Sequence, residues 1–305
     1  MTLQELDPEI AAAVGAIELD GMNAKTLTLY RQAFPALPLS EAVARTDHLV
    51  PGEPKVPVRV HRGVGAEGAR PCVYSIHGGG YVLGTYAMDD ARFDGWCPAL
   101  GIVGVSVEYR LAPETPYPGP LEDCYTGLKW VYDNADQLGL DRNRIGIAGI
   151  SAGGGLAAAL ALLARDRGEV PLAFQLLDCP MLDDRQLTPS SRLEGLAVWS
   201  RDSNEFGWRS YLGELYGQED VPYTAAPARC RDLSGLPPAF VSVGTVDGFR
   251  DEDIDYAVRL NQAGVPCELH VYPGASHGYQ IAVDSAIVRQ SQRDVLDWVA
   301  RQVGA

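Results

Sequence analysis

Residues 145–165 read IGIAGISAGGGLAAALALLAR. In this stretch an apolar run leads into a cluster of glycines around one serine, and a long segment of alanine and leucine follows. This order predicts a buried β-strand, a tight turn and an α-helix. The pentapeptide GISAG at 149–153 fits the G-x-S-x-G nucleophile elbow, in which a strained strand-to-helix turn exposes the serine. Ser151 is therefore a candidate nucleophile.

The elbow pattern is short, so its context decides how it is interpreted. A second match, GASHG at 274–278, lacks the strand–turn–helix context that surrounds Ser151. Gly149 and Gly153 remove Cβ atoms at the point where a strand and a helix would crowd each other. An ordinary strand-to-helix turn in an α/β protein is the alternative reading of these glycines.

A second glycine cluster, His77-Gly78-Gly79-Gly80, comes directly after the apolar run CVYSI at 72–76. Three successive glycines allow main-chain N–H groups to point into a pocket, where they can bind an oxyanion. The alternatives are a phosphate-binding loop or a flexible turn, and the acidic chain disfavours the first of these. We expect His77 to brace this loop by hydrogen bonding rather than to titrate in a reaction.

One of the five histidines has the position of a catalytic base. His48 and His61 lie upstream of the elbow, and His270 lies inside a predicted strand. His277 alone follows a predicted strand in a glycine-flanked loop, YPGASHGY at 272–279. Imidazole suits proton transfer near neutral pH. His277 is the predicted base.

The acid that orients this histidine is expected between Ser151 and His277. Asp247 comes immediately after the predicted strand in FVSVGTVDGFRDEDI at 240–254, and it is the favoured acid. Asp251 is the alternative, because Asp251, Glu252 and Asp253 open the next helix, where carboxylates stabilise the helix dipole without any catalytic role. The chain order Ser, Asp, His is that of the α/β-hydrolases.

Strands and helices alternate along most of the chain, which predicts an α/β fold with a mostly parallel, eight-stranded sheet covered by helices on both faces. The predicted strands are 56–61, 72–76, 102–108, 145–148, 172–177, 239–243 and 267–272, and the predicted helices are 121–134, 156–167, 251–263 and 286–303. The first two strands are separated by only GVGAEGAR, so they are expected to form an antiparallel hairpin at the sheet edge.

Two segments interrupt this alternation and predict a helical cap. Residues 1–45 have a helical pattern, with Ile10, Val14 and Ile17 on one face, and residues 181–223 are rich in aromatics without a clear strand. The expected organisation is a cap segment at 1–45, a first catalytic part at 46–180, a cap insertion at 181–223 and a second catalytic part at 224–305.

Composition excludes several classes of protein. The chain has 305 residues, 46% of them apolar, and a net charge of −15, so nucleic acid is not an expected partner. No run approaches the roughly 18–20 apolar residues of a membrane span, and the N-terminus lacks the features of a signal peptide. We therefore expect a cytoplasmic protein.

The six cysteines are scattered through the sequence. They are Cys72, Cys97, Cys124, Cys179, Cys230 and Cys267, with no C-x-x-C pair and no Cys/His cluster in the sequence. We expect free thiols rather than disulfides, and the spacing predicts neither a zinc site nor any cofactor.

These motifs together resemble the hormone-sensitive-lipase-like family of α/β-hydrolase esterases. The resemblance rests on VYSIHGGGYVLGT, VSVEYRLAPETPYPGPLEDC, RIGIAGISAGGGLAAAL, GTVDGFRDED and YPGASHGY, and it covers roughly residues 55–303. It implies oxyanion-hole donors at Gly79, Gly80 and Ala152, with Gly78 in the same loop. It also implies that Glu114 supports the loop around the nucleophile.

The chain departs from the family pattern at one position, and one further stretch resembles a subgroup of the family. Many members carry Asp or Thr immediately before the nucleophile, whereas this chain has Ile150. The stretch CPMLDDR at 179–185 resembles a subgroup whose members often form homodimers.

The sequence therefore predicts a serine carboxylesterase that acts on small, neutral esters through an acyl-enzyme intermediate. Tyr81, Trp199 and Trp208 are candidates for the walls of a short acyl pocket, or else for ordinary cap core. An acyltransferase or amidase with the same triad is the alternative enzyme. A ligand-binding receptor on this scaffold is the third reading, although such receptors lose a triad residue.

Overall fold

The computed structural model describes residues 5–15, 21–32 and 38–305 of the chain, so the predicted helical residue Ile17 lies outside the described residues. The strands are β1 (Val43–Val50), β2 (Val56–Gly63), β3 (Arg70–Ile76), β4 (Val103–Val107), β5 (Leu140–Ile150), β6 (Gln175–Asp178), β7 (Ala239–Val246) and β8 (Cys267–Ser276). The α-helices are α1 (Pro8–Gly15), α2 (Leu27–Gln32), α3 (Asp90–Leu100), α4 (Gly119–Asp133), α5 (Ala152–Arg167), α6 (Arg201–Leu212), α7 (Arg250–Gln262) and α8 (Ala286–Val303). None of these helices combines the length and apolar character needed to cross a membrane.

The strands form one eight-stranded sheet in the order β1-β2-β4-β3-β5-β6-β7-β8. Only the β1–β2 and β2–β4 pairs are antiparallel, and every other neighbouring pair is parallel. The prediction of a mostly parallel, eight-stranded α/β sheet is confirmed. Because β3 and β5 to β8 run in the same direction, the loops that follow them meet at one edge of the sheet.

The predicted hairpin between the first two apolar runs is wrong. β4 lies between β2 and β3, so the GVGAEGAR connection passes from the second strand of the sheet to the fourth. The edge strand next to β2 is β1. In its sequence, VARTDHLV, only Val43 and Val50 are buried, and the other residues are exposed or half-buried. A strand with so few buried residues has no apolar run, which is why the sequence pattern did not reveal it.

Two apolar cores show that helices cover both faces of the sheet. Tyr74 of β3 packs in a core with residues of α4, α5 and α7, whereas its neighbour Val73 packs in a second core with residues of α3 and α8. Successive residues of a strand point to opposite faces, so these cores lie on opposite sides.

The four predicted helices are present within a few residues of their expected bounds, and α8 has the bounds that were predicted. Helix α3 was not predicted. Its sequence DARFDGWCPAL contains Gly95 and Pro98, both poor helix formers. Packing of Phe93 and Cys97 into the second core stabilises this helix in spite of its weak intrinsic propensity.

Residues 181–223 contain α6 and short 3₁₀ turns but no strand. The N-terminal segment reaches this region, because the main-chain N–H of Met22 donates to Ser203 Oγ at 2.9 Å. Helix α1 packs elsewhere, with Ile10 and Val14 in a small core that includes Tyr272 of β8 and Tyr279.

Candidate active site

Ser151 lies in a strained turn between β5 and α5. Its backbone has φ 56° and ψ −123°, a conformation that L-amino acids rarely adopt. A Cβ at Gly149 would overlap the Gly153 carbonyl, and one at Gly153 would overlap the Ile76 carbonyl of the neighbouring strand. The glycines therefore allow the close strand–helix approach that presents the serine side chain at the end of the sheet.

Three of the predicted side chains form one hydrogen-bonded chain. Ser151 Oγ lies 2.9 Å from His277 Nε2, and His277 Nδ1 lies 2.8 Å from Asp247 Oδ2. All three residues are buried, with Asp247 only 1% exposed. Asp247 Oδ1 accepts a further hydrogen bond from the Phe249 N–H at 2.9 Å, which fixes the carboxylate.

The structure places the alternative acids away from His277. Asp251 accepts from the Ser190 N–H and from Arg250. Glu252 accepts from the main-chain N–H groups of Leu182 and Asp183, so it fastens the chain after β6. Burial raises the pKa of the Glu252 carboxyl and that of the Asp253 carboxyl well above their usual range.

The glycine loop at 77–80 lies opposite the serine. Gly78, Gly79 and Gly80 line the same pocket as Ser151 and His277. Among the described residues, no acceptor receives a hydrogen bond from the N–H of Gly79, Gly80 or Ala152. Ala152 is the first residue of α5, where main-chain N–H groups have no partner within the helix. Three main-chain donors next to Ser151 are thus free to bind a negatively charged oxygen.

His77 braces the glycine loop from behind. Its Nδ1 pairs with the Gly78 carbonyl at 2.8 Å, and its ring stacks on Tyr109 with centroids 4.2 Å apart. Tyr109 Oη donates to the His77 carbonyl at 3.0 Å. Burial lowers the pKa of His77 to about 4, so the ring is neutral at physiological pH.

Glu114 does not contact the serine turn. It forms a two-pronged ion pair with Arg31, both N–O distances being 2.8 Å, and it is largely exposed. Arg31 also donates to the carbonyls of Val82 and Ala112. Glu114 therefore ties α2 to the chain that follows β4, and its link to the glycine loop runs through Arg31, which also donates to Val82. The Arg31 guanidinium lowers the pKa of the Glu114 carboxyl to about 2.

The pocket in front of Ser151 has a volume of about 340 Å³. Its side-chain walls are formed by Met22, Tyr30, Leu83, Met88, Ile150, Cys179, Val198, Trp199 and Ile281. No Arg, Lys, Asp or Glu among the described residues lines it. The site is therefore suited to a neutral, apolar ligand.

One of the three aromatic residues predicted for the pocket lines it, and two do not. Trp199 packs directly over Gly80, where a Cβ would overlap its ring. Tyr81 stacks on Tyr211 with centroids 4.1 Å apart and donates to the Met181 carbonyl, while Trp208 is fully buried beside them. Tyr81 has φ 66°, which points its side chain into the core instead of the pocket.

Sequence reasoning missed a polar group behind the triad. The Asp178 carbonyl accepts from the Ser151 N–H at 2.8 Å, and its carboxylate accepts from Ser242 Oγ at 2.8 Å and Gln280 Nε2 at 2.9 Å. Burial raises the pKa of the Asp178 carboxyl, although these hydrogen bonds oppose the shift. The only sequence signal was an aspartate directly after the predicted strand 172–177.

The sequence predicts Cys179 only as a free thiol, whereas in the structure it lines the pocket. The six cysteines are all free, five of them buried. Cys179 has φ 39°, which places it in the left-handed region directly after β6. Burial raises the pKa of its thiol well above the usual range, with the nearby Asp178 and Asp247 adding to the shift.

Comparison with known proteins identifies a matching family and similar enzymes. A family profile described as "alpha/beta hydrolase fold" matches residues 73–281. The carboxylesterase NlhH of Mycobacterium tuberculosis is 36% identical over 275 residues, which cover 89% of this chain and 85% of that protein.

Solved structures resemble the chain over nearly its whole length. A bacterial heroin esterase superposes with a TM-score of 0.92 at 38% identity, covering 99% of both chains. The esterase LipW of Mycobacterium marinum superposes with a TM-score of 0.86 at 34% identity, again covering 99% of both.

Proposed function

This chain belongs to the hormone-sensitive-lipase-like family of α/β-hydrolases and is a serine carboxylesterase, and from that premise we propose that it hydrolyses small, neutral esters with Ser151 as nucleophile. His277 acts as the base and Asp247 as the acid that orients it. The observation that carries the proposal is the unbroken chain of two short hydrogen bonds, 2.9 Å and 2.8 Å, from Ser151 through His277 to Asp247.

The proposed reaction has two stages. His277 Nε2 removes the Ser151 proton while Oγ attacks the ester carbonyl, and the protonated ring then gives that proton to the leaving alcohol. The resulting acyl-enzyme is hydrolysed by a water that His277 deprotonates in the same way. Throughout, the Asp247 carboxylate holds the proton-bearing Nδ1 and stabilises the imidazolium.

We assign the oxyanion hole to the N–H groups of Gly79, Gly80 and Ala152. They lack acceptors among the described residues and lie beside Ser151, so a tetrahedral oxyanion satisfies donors that are otherwise unpaired. Removal of one such donor typically costs about 2.7–4 kcal/mol of transition-state stabilisation. His77 and Gly78 maintain the loop, and Glu114 fastens it at a distance through Arg31.

The pocket supports a short acyl group. Its volume of about 340 Å³ is small, its side chains carry no charge besides the triad, and Trp199 limits it above Gly80.

Transfer of the acyl group to an alcohol, or cleavage of an amide, is the alternative activity of the same triad. The receptor reading is disfavoured because all three triad positions are filled and connected.

Residues 21–32 of the predicted 1–45 segment form a cap together with residues 181–223, supported by the Met22–Ser203 hydrogen bond and by Met22 and Trp199 in the pocket wall, whereas α1 packs beside β8. Residues 46–180 and 224–305 form the catalytic domain.

We also propose a cytoplasmic location, which is supported by six free thiols. We further propose a homodimer, which is supported by the CPMLDDR stretch and can be tested by light scattering.

The testing experiment is a turnover series of p-nitrophenyl esters from acetate to decanoate, with Ser151→Ala as the control. We expect the highest kcat/KM for the short esters and no turnover above background for the variant. Equal turnover of an acetanilide, or acyl transfer to added alcohol exceeding hydrolysis, would replace the carboxylesterase assignment with the alternative. Undiminished turnover by Ser151→Ala would refute the assigned nucleophile.

A further inference from the structure

Three potential metal ligands meet at the ends of three neighbouring parallel strands. Cys179, Asp247 and His277 are the residues that directly follow β6, β7 and β8, and these strands are adjacent in the sheet. Their ligand atoms, a thiol sulfur, a carboxylate oxygen and a ring nitrogen, all lie within 4.8 Å of one another. The three residues are far apart in sequence, so only the fold brings them together.

We propose that Cys179, Asp247 and His277 form a site for Zn²⁺ or another thiophilic divalent cation, and that the bound cation reversibly switches off the esterase. Two of the triad residues are ligands in this site. A His277 that coordinates a cation and shares Asp247 with it cannot remove the Ser151 proton.

The chemistry of the ligand set selects the cation. Sulfur, imidazole and carboxylate are the ligands that Zn²⁺ takes in proteins, at about 2.0–2.3 Å, which places ligand atoms of a tetrahedral site roughly 3.3–3.8 Å apart. The observed limit of 4.8 Å closes to that spacing with side-chain movements on the order of 1 Å. A thiolate disfavours Mg²⁺ and Ca²⁺, which bind oxygen ligands.

The cation has a route to the site and a place for a fourth ligand. Cys179 and His277 both line the pocket that opens in front of Ser151. A water completes the tetrahedron, because Ser151 Oγ lies on the Nε2 side of the His277 ring, opposite the Nδ1 that faces Asp247. As the Zn–S bond forms, the Cys179 proton leaves to solvent, and no oxidation or reduction takes place.

The test uses Co²⁺ as a spectroscopic probe for binding, because a cobalt–thiolate bond has a characteristic charge-transfer absorption. We expect this band in the wild-type chain and in Ser151→Ala, and its loss in Cys179→Ala and Cys179→Gly. The glycine variant suits the left-handed backbone at this position, so it guards against misfolding.

Cys267→Ser is the matched control. Cys267 is a half-buried thiol at the first residue of β8, at the other end of this strand from His277, and it belongs to no group of three potential ligands among the described residues. Retention of the band in Cys267→Ser supports the proposal. Loss of the band there, or its absence from the wild-type chain, would overturn it.

The second readout is inhibition of p-nitrophenyl acetate hydrolysis by ZnCl₂, with each variant normalised to its own rate without Zn²⁺. We expect inhibition of the wild type that EDTA reverses, and an inhibition constant at least about tenfold weaker in Cys179→Gly. Equal inhibition of Cys179→Gly and wild type would refute the switch. The inhibition assay rests on the proposed function, whereas the Co²⁺ spectrum involves no turnover. The proposed cation site and the proposed esterase function can therefore fail separately.

Discussion

Asp247 Oδ2 lies 2.8 Å from His277 Nδ1, whereas Asp251, four residues later, is turned to Ser190 and Arg250. Both carboxylates follow the same strand, and either one satisfies the chain order of the triad. Burial and the Phe249 N–H fix only Asp247 in contact with the histidine. The pair therefore provides a matched comparison of the proposed triad acid with a structural one.

Asp247→Asn should lower kcat for p-nitrophenyl acetate by about 10⁴, because the amide presents the wrong hydrogen-bonding partner to Nδ1–H. Asp251→Asn, which leaves the triad intact, should retain most of the wild-type kcat. Steady-state kinetics of the two purified variants measure the contrast. If Asp251→Asn is the damaging change, the acid has been assigned to the wrong residue.

Gln280→Ala should lower kcat more than it changes KM. Gln280 Nε2 donates to Asp178 Oδ2 across 102 residues, and Asp178 also accepts from the Ser151 N–H through its carbonyl. Loss of the amide leaves a buried carboxylate with one donor fewer, which should also cost about 1–3 kcal/mol of the free energy of unfolding. Kinetics and urea unfolding test both effects. The exposed Gln218→Ala is the control, and equal effects of the two variants would argue against a positioning role.

His77 should make the protein less stable as the pH falls. Burial lowers its pKa from 6.5 to about 4, so between these values the unfolded chain takes up a proton that the folded chain resists. The contribution is about 3 kcal/mol of unfolding free energy, intact above pH 6.5 and lost as the pH falls to about 4. The raised pKa values of Glu252 and Asp253 act in the opposite direction.

Comparison with His77→Gln isolates this contribution, because the buried acids are common to both proteins. The difference in unfolding free energy between wild type and variant should fall by about 3 kcal/mol from pH 7 to pH 4. A difference independent of pH would contradict a neutral, buried His77.

Trp199 and Trp208 should respond differently to truncation. Trp199→Ala removes the wall above Gly80, so the preferred p-nitrophenyl ester should become longer. Trp208→Ala should instead destabilise the fold by about 3–5 kcal/mol without changing the order of ester preference, since its ring is fully buried beside Tyr81. Chain-length series and thermal unfolding measure the two outcomes. An unchanged preference in Trp199→Ala would remove Trp199 from the acyl pocket.

Local patterns predicted the serine turn and the glycine loop because these parts of the structure are short and contiguous. The Ser151 turn depends on glycines two positions to either side, and the 77–80 loop depends on three adjacent glycines. The helix bounds of α8 followed from a strong 18-residue pattern that ends before Gly304. These features are specified by residues that are neighbours in the sequence.

Features that depend on distant residues were not predictable in the same way. The half-buried strand β1 has no apolar run, and the place of β4 between β2 and β3 is decided by packing. The contact of Asp178 with Gln280 joins residues 102 positions apart. The direction of Tyr81 depends on a positive φ that the sequence does not reveal.

The central claim, that Ser151 is the covalent nucleophile, is tested most directly by labelling with diethyl p-nitrophenyl phosphate. The reagent phosphorylates an activated serine and releases p-nitrophenol. Peptide mass spectrometry should find one diethylphosphoryl group, on the peptide that contains Ser151, together with loss of esterase activity. No group should be found on Ser151→Ala. A modified residue elsewhere, or wild-type p-nitrophenyl acetate turnover by Ser151→Ala, would contradict the account.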